Sequence, residues 1–95
     1  MKVDVIKDGS LLTLKIEGRV DTTTAPELEK AVFDNLDGVT ELILDLENMP
    51  YTSSAGLRVL LKAKKAAKNM KLIHVCDDVM EVLEMTGFTD IMNIE

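Results

Sequence analysis

The chain has 95 residues, of which 46% are hydrophobic and 29% are charged, and its formal net charge is −6. This length predicts a single domain over residues 1–95, with one hydrophobic core and no room for a large enclosed substrate cavity. An acidic surface repels phosphate backbones and anionic lipids, so we expect neither nucleic acid nor a membrane surface as a partner.

Two strands joined by a tight turn are predicted at the start of the chain. Residues 3–7 (VDVIK) and 11–17 (LLTLKIE) alternate apolar and polar side chains, which is typical of strands with one buried face. The Asp8-Gly9 pair between them is a strong signal for a hairpin turn. We therefore expect the two strands to run antiparallel.

The next segment has the pattern of a helix. Thr24 and Glu27 have the spacing of a capping box, and Pro26 suits the first helical turn. Apolar residues then recur at helical spacing, namely Leu28, Val32 and Leu36. Gly38 is the predicted end of this helix.

The rest of the chain alternates strands and helices. Residues 41–46 (ELILDL) and 71–76 (KLIHVC) are short and aliphatic, as buried central strands are. Helices are predicted from about Ser54 onward and over 77–87, and the tail at 91–94 (IMNI) is either a short strand or a packed segment. The order β-β-α-β-α-β-α implies right-handed crossovers and parallel central strands. The predicted fold class is therefore α/β, with helices packed on a mixed sheet.

The segment YTSSAG at 51–56 lies where a binding site is expected. It follows a central strand, and ligands of such sheets usually meet the loops beyond the carboxyl ends of parallel strands. Ser53 and Ser54 fall at the first turn of a helix, where unpaired N–H groups and the dipole favour a phosphate. Two interpretations follow from the residues alone. One is a helix N-cap worth about 1 kcal/mol, and the other is a serine that is phosphorylated and so gains about −1.5 to −2 charges.

Enzymatic, cofactor and metal chemistry find no support in the sequence. Residues 52–56 (TSSAG) lack the first glycine of a nucleophile elbow, and the only histidine, His74, is expected inside a strand. No glycine-rich phosphate-binding motif is present. One cysteine, one histidine and scattered carboxylates predict no metal site. We expect a protein that is not an enzyme and has no cofactor.

The sequence also bears on where the protein works. Cys76 is the only cysteine, which excludes an internal disulfide and is typical of a reducing compartment. Residues 1–10 (MKVDVIKDGS) lack the apolar core of a signal peptide. No apolar run approaches the roughly 20 residues of a membrane-spanning helix. The expected location is the cytoplasm, with no insertion into a membrane.

The motif and the element order together resemble the anti-sigma-factor antagonist group of the STAS-domain family. The resemblance rests on GRVDTTTAPELEKAV (18–32), DLENMPYTSSAGLRVLL (45–61) and MTGF (85–88), and it spans nearly the whole chain. It implies a STAS-like fold and a partner switch that involves no catalysis by the protein itself. The unmodified protein would bind an anti-sigma factor that is also a serine kinase, the phosphorylated protein would release it, and a serine phosphatase would reset the cycle.

The resemblance also implies which residues form the site. The family's acceptor serine lies two residues before a glycine, so Ser54 corresponds to it, with Gly56 as the glycine. Ser53 replaces the aspartate that precedes the acceptor in the family, and it is the alternative acceptor. The positions implied to line or flank the partner surface are Asp21, Thr22, Met49, Tyr51, Thr52, Ser53, Ala55, Gly56, Leu57 and Arg58.

A second hypothesis comes from the same resemblance. STAS domains also serve as scaffolds that are not phosphorylated, in transport assemblies or in large stress-signalling complexes. The replacement of the family aspartate by Ser53 favours that function. A constitutive scaffold or regulatory subunit is therefore the alternative to a phosphorylation-controlled switch.

Overall fold

The computed structural model describes all 95 residues and contains five strands and three helices. In chain order these are β1 (Lys2–Asp8), β2 (Leu11–Glu17), α1 (Ala25–Phe33), β3 (Glu41–Asn48), α2 (Ser54–Ala66), β4 (Asn69–Ile73), α3 (Asp77–Met85) and β5 (Asn93–Ile94). A short 3-10 turn at Phe88–Asp90 links α3 to β5. No helix is both long enough and apolar enough to cross a membrane.

The five strands form one mixed sheet in the order β1-β2-β3-β4-β5. β1 pairs antiparallel with β2, and the hairpin closes at Asp8 and Leu11 around Gly9, whose φ of 61° is one that glycine adopts without strain. The pairs β2–β3, β3–β4 and β4–β5 are parallel. The predicted antiparallel hairpin and parallel centre are both confirmed, and the tail forms the short final strand.

The helices that connect the central strands cover one face of the sheet. The connections from β2 to β3 and from β3 to β4 step in the same direction across the sheet, so right-handed crossovers place α1 and α2 on the same side. Side chains of a strand alternate between the two faces. On β3, Leu42, Leu44 and Leu46 are fully buried and belong to one core cluster with residues of all three helices. The opposite side, here called the open face, carries Ile43 and Asp45 of β3.

The end of α1 differs from the prediction. The helix ends at Phe33, and Gly38 lies in the following loop with a φ of 76°. Asn35 Nδ2 donates to the Ala31 carbonyl at 2.6 Å, while Asn35 N turns to the Val32 carbonyl at 3.2 Å. An amide side chain that bonds to backbone in this way competes with the helical ladder. The helical spacing of apolar residues therefore continues to Leu36, three residues beyond the end of the helix at Phe33.

The predicted capping box at the start of α1 is wrong. The hydroxyl of Thr24 donates to the Arg19 carbonyl at 2.9 Å and accepts from Asp21 N at 2.8 Å, so it makes no cap bond to the helix. The side chain of Glu27 is exposed and makes no hydrogen bond back to Thr24. Thr24 instead ties the beginning of α1 back to the loop that leaves β2.

β4 is displaced towards the amino end of its predicted range. It spans Asn69–Ile73, and His74 follows it with a φ of 56°, in the left-handed region. A backbone in that region cannot continue an extended strand. The expectation that His74 lies inside a strand is therefore wrong.

Candidate functional site

The loop that precedes α2 is fixed to the loop that follows β2. Gly18 N donates to the Asn48 carbonyl at 2.9 Å. Val20 N donates to the Tyr51 carbonyl at 3.1 Å, and Ser53 N donates back to the Val20 carbonyl at 2.8 Å. These bonds continue the pairing of β2 with β3 beyond the ends of both strands. Residues 49–53 are thus held by backbone bonds rather than by side chains alone.

Ser53 and Ser54 have different roles at the start of α2. Ser53 is the N-cap residue, with an extended backbone, and its Oγ accepts from Ala55 N at 3.2 Å. Ser54 is the first helical residue and is exposed. The N-cap interpretation therefore holds for Ser53, and the hydroxyl of Ser54 takes no part in the cap.

Gly56 lets the first turn of α2 lie directly on the loops. A Cβ added at Gly56 would overlap the Thr52 hydroxyl and come within 2.8 Å of Val20 Cγ1. Thr52 is only 4% exposed, and Val20 is fully buried. The small residue is needed because a side chain at this position would push the helix away from the loops that carry it.

Asp21 organises the loop between β2 and α1. Its Oδ1 accepts from Thr23 Oγ1 at 2.7 Å, from Thr23 N at 2.9 Å and from Thr24 N at 3.1 Å. The hydrogen bond from the Thr23 hydroxyl, followed by those from the two backbone N–H groups, holds the pKa of Asp21 below its ordinary value of 3.8. The carboxylate is therefore ionised at neutral pH and fixes the loop between β2 and α1.

The structure divides the sequence-predicted site residues by burial. Thr22, Tyr51, Ser54 and Arg58 are exposed, and the half-buried members of the set are Asp21, Ser53 and Ala55. Four further members are buried and support the surface from beneath, namely Met49, Thr52, Gly56 and Leu57. The side chains that a partner can reach are therefore those of the exposed and half-buried residues.

Comparison with known proteins identifies the family of this arrangement. The sequence matches the STAS domain family over residues 2–95. The chain belongs to the STAS domain family. It is similar to the anti-sigma-B factor antagonist of Staphylococcus aureus (strain NCTC 8325 / PS 47), with 27% identity over 99 aligned positions that cover 99% of this chain and 92% of the relative.

Solved structures of anti-sigma factor antagonists share the fold of this STAS domain. One from Mycobacterium paratuberculosis has a TM-score of 0.89 at 20% identity and covers 98% of this chain and 83% of its own. SpoIIAA in its unphosphorylated form has a TM-score of 0.71 at 13% identity, covering 99% of this chain and 87% of its own. The phosphorylated form of SpoIIAA from Bacillus has a TM-score of 0.72 at 14% identity, covering 99% and 91%. Both forms of SpoIIAA therefore match this STAS domain equally well.

Two grooves flank the Ser54 loop of the STAS domain. One lies between α1 and α2, has a volume of about 230 Å³ and includes Thr22, Ala55 and Arg58 in its lining. The other lies between the loop and α3, has a volume of about 220 Å³ and includes Tyr51 in its lining. The exposed site residues thus border two concave surfaces into which partner side chains could pack.

Arg19 is a site residue that the sequence did not predict. Its guanidinium carbon lies 4.3 Å from the centroid of the Tyr51 ring, which is a cation–π contact. The two residues are far apart in the chain and meet only because the loops after β2 and β3 are paired. The segment GRV at 18–20 was part of the family resemblance, but nothing in its spacing links Arg19 to Tyr51.

Proposed function

We propose that this STAS protein is a phosphorylation-controlled antagonist of an anti-sigma factor. The unmodified protein binds an anti-sigma factor with serine kinase activity, phosphorylation of Ser54 releases that partner, and a serine phosphatase restores the unmodified state. The protein acts by binding and catalyses no reaction itself. It consists of a single domain and works in the cytoplasm.

The observation that carries this proposal is the separation of the two serines. Ser53 supplies the cap of α2, so a phosphate on Ser54 removes no bond on which the helix depends. The positive end of the helix dipole favours the added charge. Because the neighbouring loop is held by backbone bonds, the modification changes the surface and leaves the fold in place. The equal match to both forms of SpoIIAA supports that view.

The charge change explains how a bound partner would be released. Tyr51 and Ala55 contribute apolar surface next to Ser54, and burying a phosphate in such a contact carries a large desolvation penalty. Arg58 lies four residues after Ser54 on α2, which is a spacing at which helix side chains meet, and it pairs with no carboxylate of this chain. A phosphate on Ser54 would attract Arg58 away from the partner.

The first test is phosphopeptide mapping of the protein isolated from growing and from stressed cells. We expect phosphate on Ser54, with an occupancy that differs between the two conditions. Phosphate found only on Ser53 would contradict the assignment of the acceptor. Unmodified peptide under all conditions would instead favour the constitutive scaffold.

The second test measures how charge at Ser54 affects partner binding. We predict that Ser54→Asp weakens binding to the anti-sigma factor kinase by about tenfold or more, which corresponds to about 1.4 kcal/mol. Ser54→Ala should bind like the wild type in a calorimetric titration. Ser10→Asp is the matched control because Ser10 is also exposed but lies in the hairpin turn. Equal affinity of Ser54→Asp and Ser10→Asp would rule out the switch.

A further inference from the structure

A second cluster of ionisable side chains lies on the open face of the sheet. Asp45 and Glu47 belong to β3, and His74 directly follows β4. His74 Nδ1 lies 3.0 Å from Asp45 Oδ1 and 3.5 Å from Glu47 Oε2. One nitrogen or oxygen atom from each of the three side chains lies within 4.8 Å of the other two. The proposed partner switch uses none of these side chains.

The backbone of His74 is what brings the ring to this face. Ile73 pairs with Asp45 and shares the open face with it, whereas Leu72 is buried on the helix side. In a continuing strand, side chains alternate, so residue 74 would point towards the helices. The left-handed φ of 56° at His74 breaks that alternation and turns the imidazole onto Asp45. A strained backbone that creates a contact between polar groups is a common feature of functional sites.

The buried carboxylate at the centre of the cluster has an oxygen available. Asp45 is 8% exposed, its Oδ1 accepts from Glu47 N at 3.1 Å, and His74 Nδ1 lies 3.0 Å from the same oxygen. Its Oδ2 is left without a donor from the protein. Glu47 is exposed, so its carboxylate can adjust its position. As ligands, Asp45 is held in place by burial, His74 is oriented by its backbone, and Glu47 can adjust its position.

The separations of these atoms are those of ligands around one ion. Zinc binds nitrogen and oxygen ligands at about 2.0–2.2 Å, so two ligands of the same ion are about 3.0–3.5 Å apart. The 3.0 Å and 3.5 Å distances from His74 Nδ1 lie in that range. The carboxylate oxygens of Asp45 and Glu47 lie within 4.8 Å of each other, and the exposed Glu47 side chain is the one that would turn to close that distance.

The surrounding charge also favours a cation. A cleft of about 130 Å³ adjoins the cluster, and its charged lining consists of one cation, Lys15, and four carboxylates, namely Asp4, Glu17, Asp45 and Glu47. Lys2 Nζ also lies 3.8 Å from Asp4 Oδ1, so four carboxylates face two ammonium groups, and the remaining negative potential attracts divalent cations. The cleft also has room for the water molecules that an ion with three protein ligands retains.

We propose that Asp45, Glu47 and His74 bind one divalent transition-metal ion of the Zn²⁺ type, with water in the remaining coordination positions. An imidazole ligand suits such ions, whereas Mg²⁺ and Ca²⁺ favour all-oxygen sites. Because its ligands come from the carboxyl ends of two neighbouring strands, the ion would join the β4–α3 connection to β3. The sequence predicted no metal site because these residues are scattered along the chain, and only the sheet register and the turn at His74 bring them together.

The direct test is a titration of the protein with ZnCl₂ followed by NMR of the imidazole. His74 is the only histidine, so its two ring nitrogens give unambiguous ¹⁵N signals. We expect the Nδ1 signal to shift and to saturate at one equivalent of Zn²⁺ at pH 7.5, while MgCl₂ at the same concentration leaves it unchanged. Absence of a shift at millimolar Zn²⁺ would overturn the proposal and leave an ordinary contact between a histidine and a carboxylate.

Variants then identify the ligands. We expect His74→Asn and Asp45→Asn to weaken Zn²⁺ binding at least tenfold in a calorimetric titration. Asparagine suits position 74 because it tolerates the left-handed backbone. Cys76→Ser and Asp77→Asn are the matched controls, and both should bind within twofold of the wild type. Zn²⁺ binding that survives His74→Asn, or that is lost in Cys76→Ser, would contradict the site. If Asp45→Asn fails to fold, the titration of the wild type still decides the question.

Discussion

Adjacent serines at the start of α2 have different surroundings, and this difference determines what each can do. The hydroxyl of Ser53 accepts a backbone hydrogen bond from Ala55, so it is committed to the helix end. The hydroxyl of Ser54 lies one residue later on the exposed side of the first turn. One residue therefore stabilises the helix, while the other is free to be modified.

The two serines should differ in their effect on stability. We predict that Ser53→Ala lowers the free energy of unfolding by about 1 kcal/mol, because it removes the cap. Ser54→Ala should change it by less than about 0.5 kcal/mol, as exposed substitutions usually do. Urea unfolding of both variants measures the difference. If Ser54→Ala lowers the free energy of unfolding more than Ser53→Ala does, Ser53 is not the residue that caps α2.

The carboxylate of Asp21 links loop structure to pH. The hydrogen bond from the Thr23 hydroxyl is the main cause of the lowered pKa of Asp21 in the folded protein. The ionised carboxylate therefore stabilises the fold at pH values above 3.8, the ordinary pKa of this group. This stabilisation is lost as the pH falls through the lower pKa of the folded state. We predict that the stability difference between wild type and Asp21→Asn narrows as the pH falls below 4. A ¹³C titration of the Asp21 carboxyl should have its midpoint below 3.8, and a midpoint at or above that value would refute the prediction.

At the scale of elements, the ends of helices and strands depend on side chains that bond to the backbone. Asn35 takes the Ala31 carbonyl and shortens α1, and His74 ends β4 by adopting a left-handed backbone. Neither feature changes the hydrophobic periodicity of the sequence, because that periodicity indicates only which side of an element is buried. For that reason the sequence predicted the type and order of the elements correctly and placed several boundaries wrongly.

The beginning of α1 offers a direct test of this distinction. A capping box would make both the Thr24 and the Glu27 side chains important, whereas in the structure only the Thr24 side chain forms hydrogen bonds there. We predict that Thr24→Ala lowers the free energy of unfolding by about 1 kcal/mol or more, because Asp21 N loses its acceptor. Glu27→Ala should change it by less than about 0.5 kcal/mol. If thermal or urea unfolding shows equal losses of stability for Thr24→Ala and Glu27→Ala, the capping box is present after all.

The candidate site was predictable in part. Its place at residues 51–56 follows from a small-residue motif after a central strand, which is a local pattern. Its rim does not follow from such a pattern, since Arg19 reaches Tyr51 only through the pairing of two distant loops. The burial of Met49 and Leu57 likewise depends on how α2 settles on the sheet. The local pattern predicted where the site lies, the family resemblance implied Ser54 as its acceptor, and topology determined the neighbours of that residue.

At the scale of the whole molecule, placing α1 and α2 on one side of the sheet gives the protein two different faces. The helix side is closed over a continuous apolar core. The open face has no connecting helix and carries the carboxylates of Asp4, Asp45 and Glu47 beside Lys15. The proposed partner surface and the proposed ion site both lie near the carboxyl ends of the parallel strands but use different side chains, so each can be altered by mutation without removing a residue of the other.

The parallel pairing of β2 with β3 has a consequence for how the protein reaches its folded state. Leu14 pairs with Leu44, thirty residues later, whereas the β1–β2 hairpin closes within four residues. Distant pairs form late, because a long loop must be closed before the contact is made. In pulse-labelled hydrogen exchange we expect the hairpin amides to be protected before those of Val20 and Ser53, and the reverse order would refute this. The loop that carries Ser54 would then take its final shape only on chains whose central sheet is complete, so that the proposed phosphorylation would be confined to fully folded molecules.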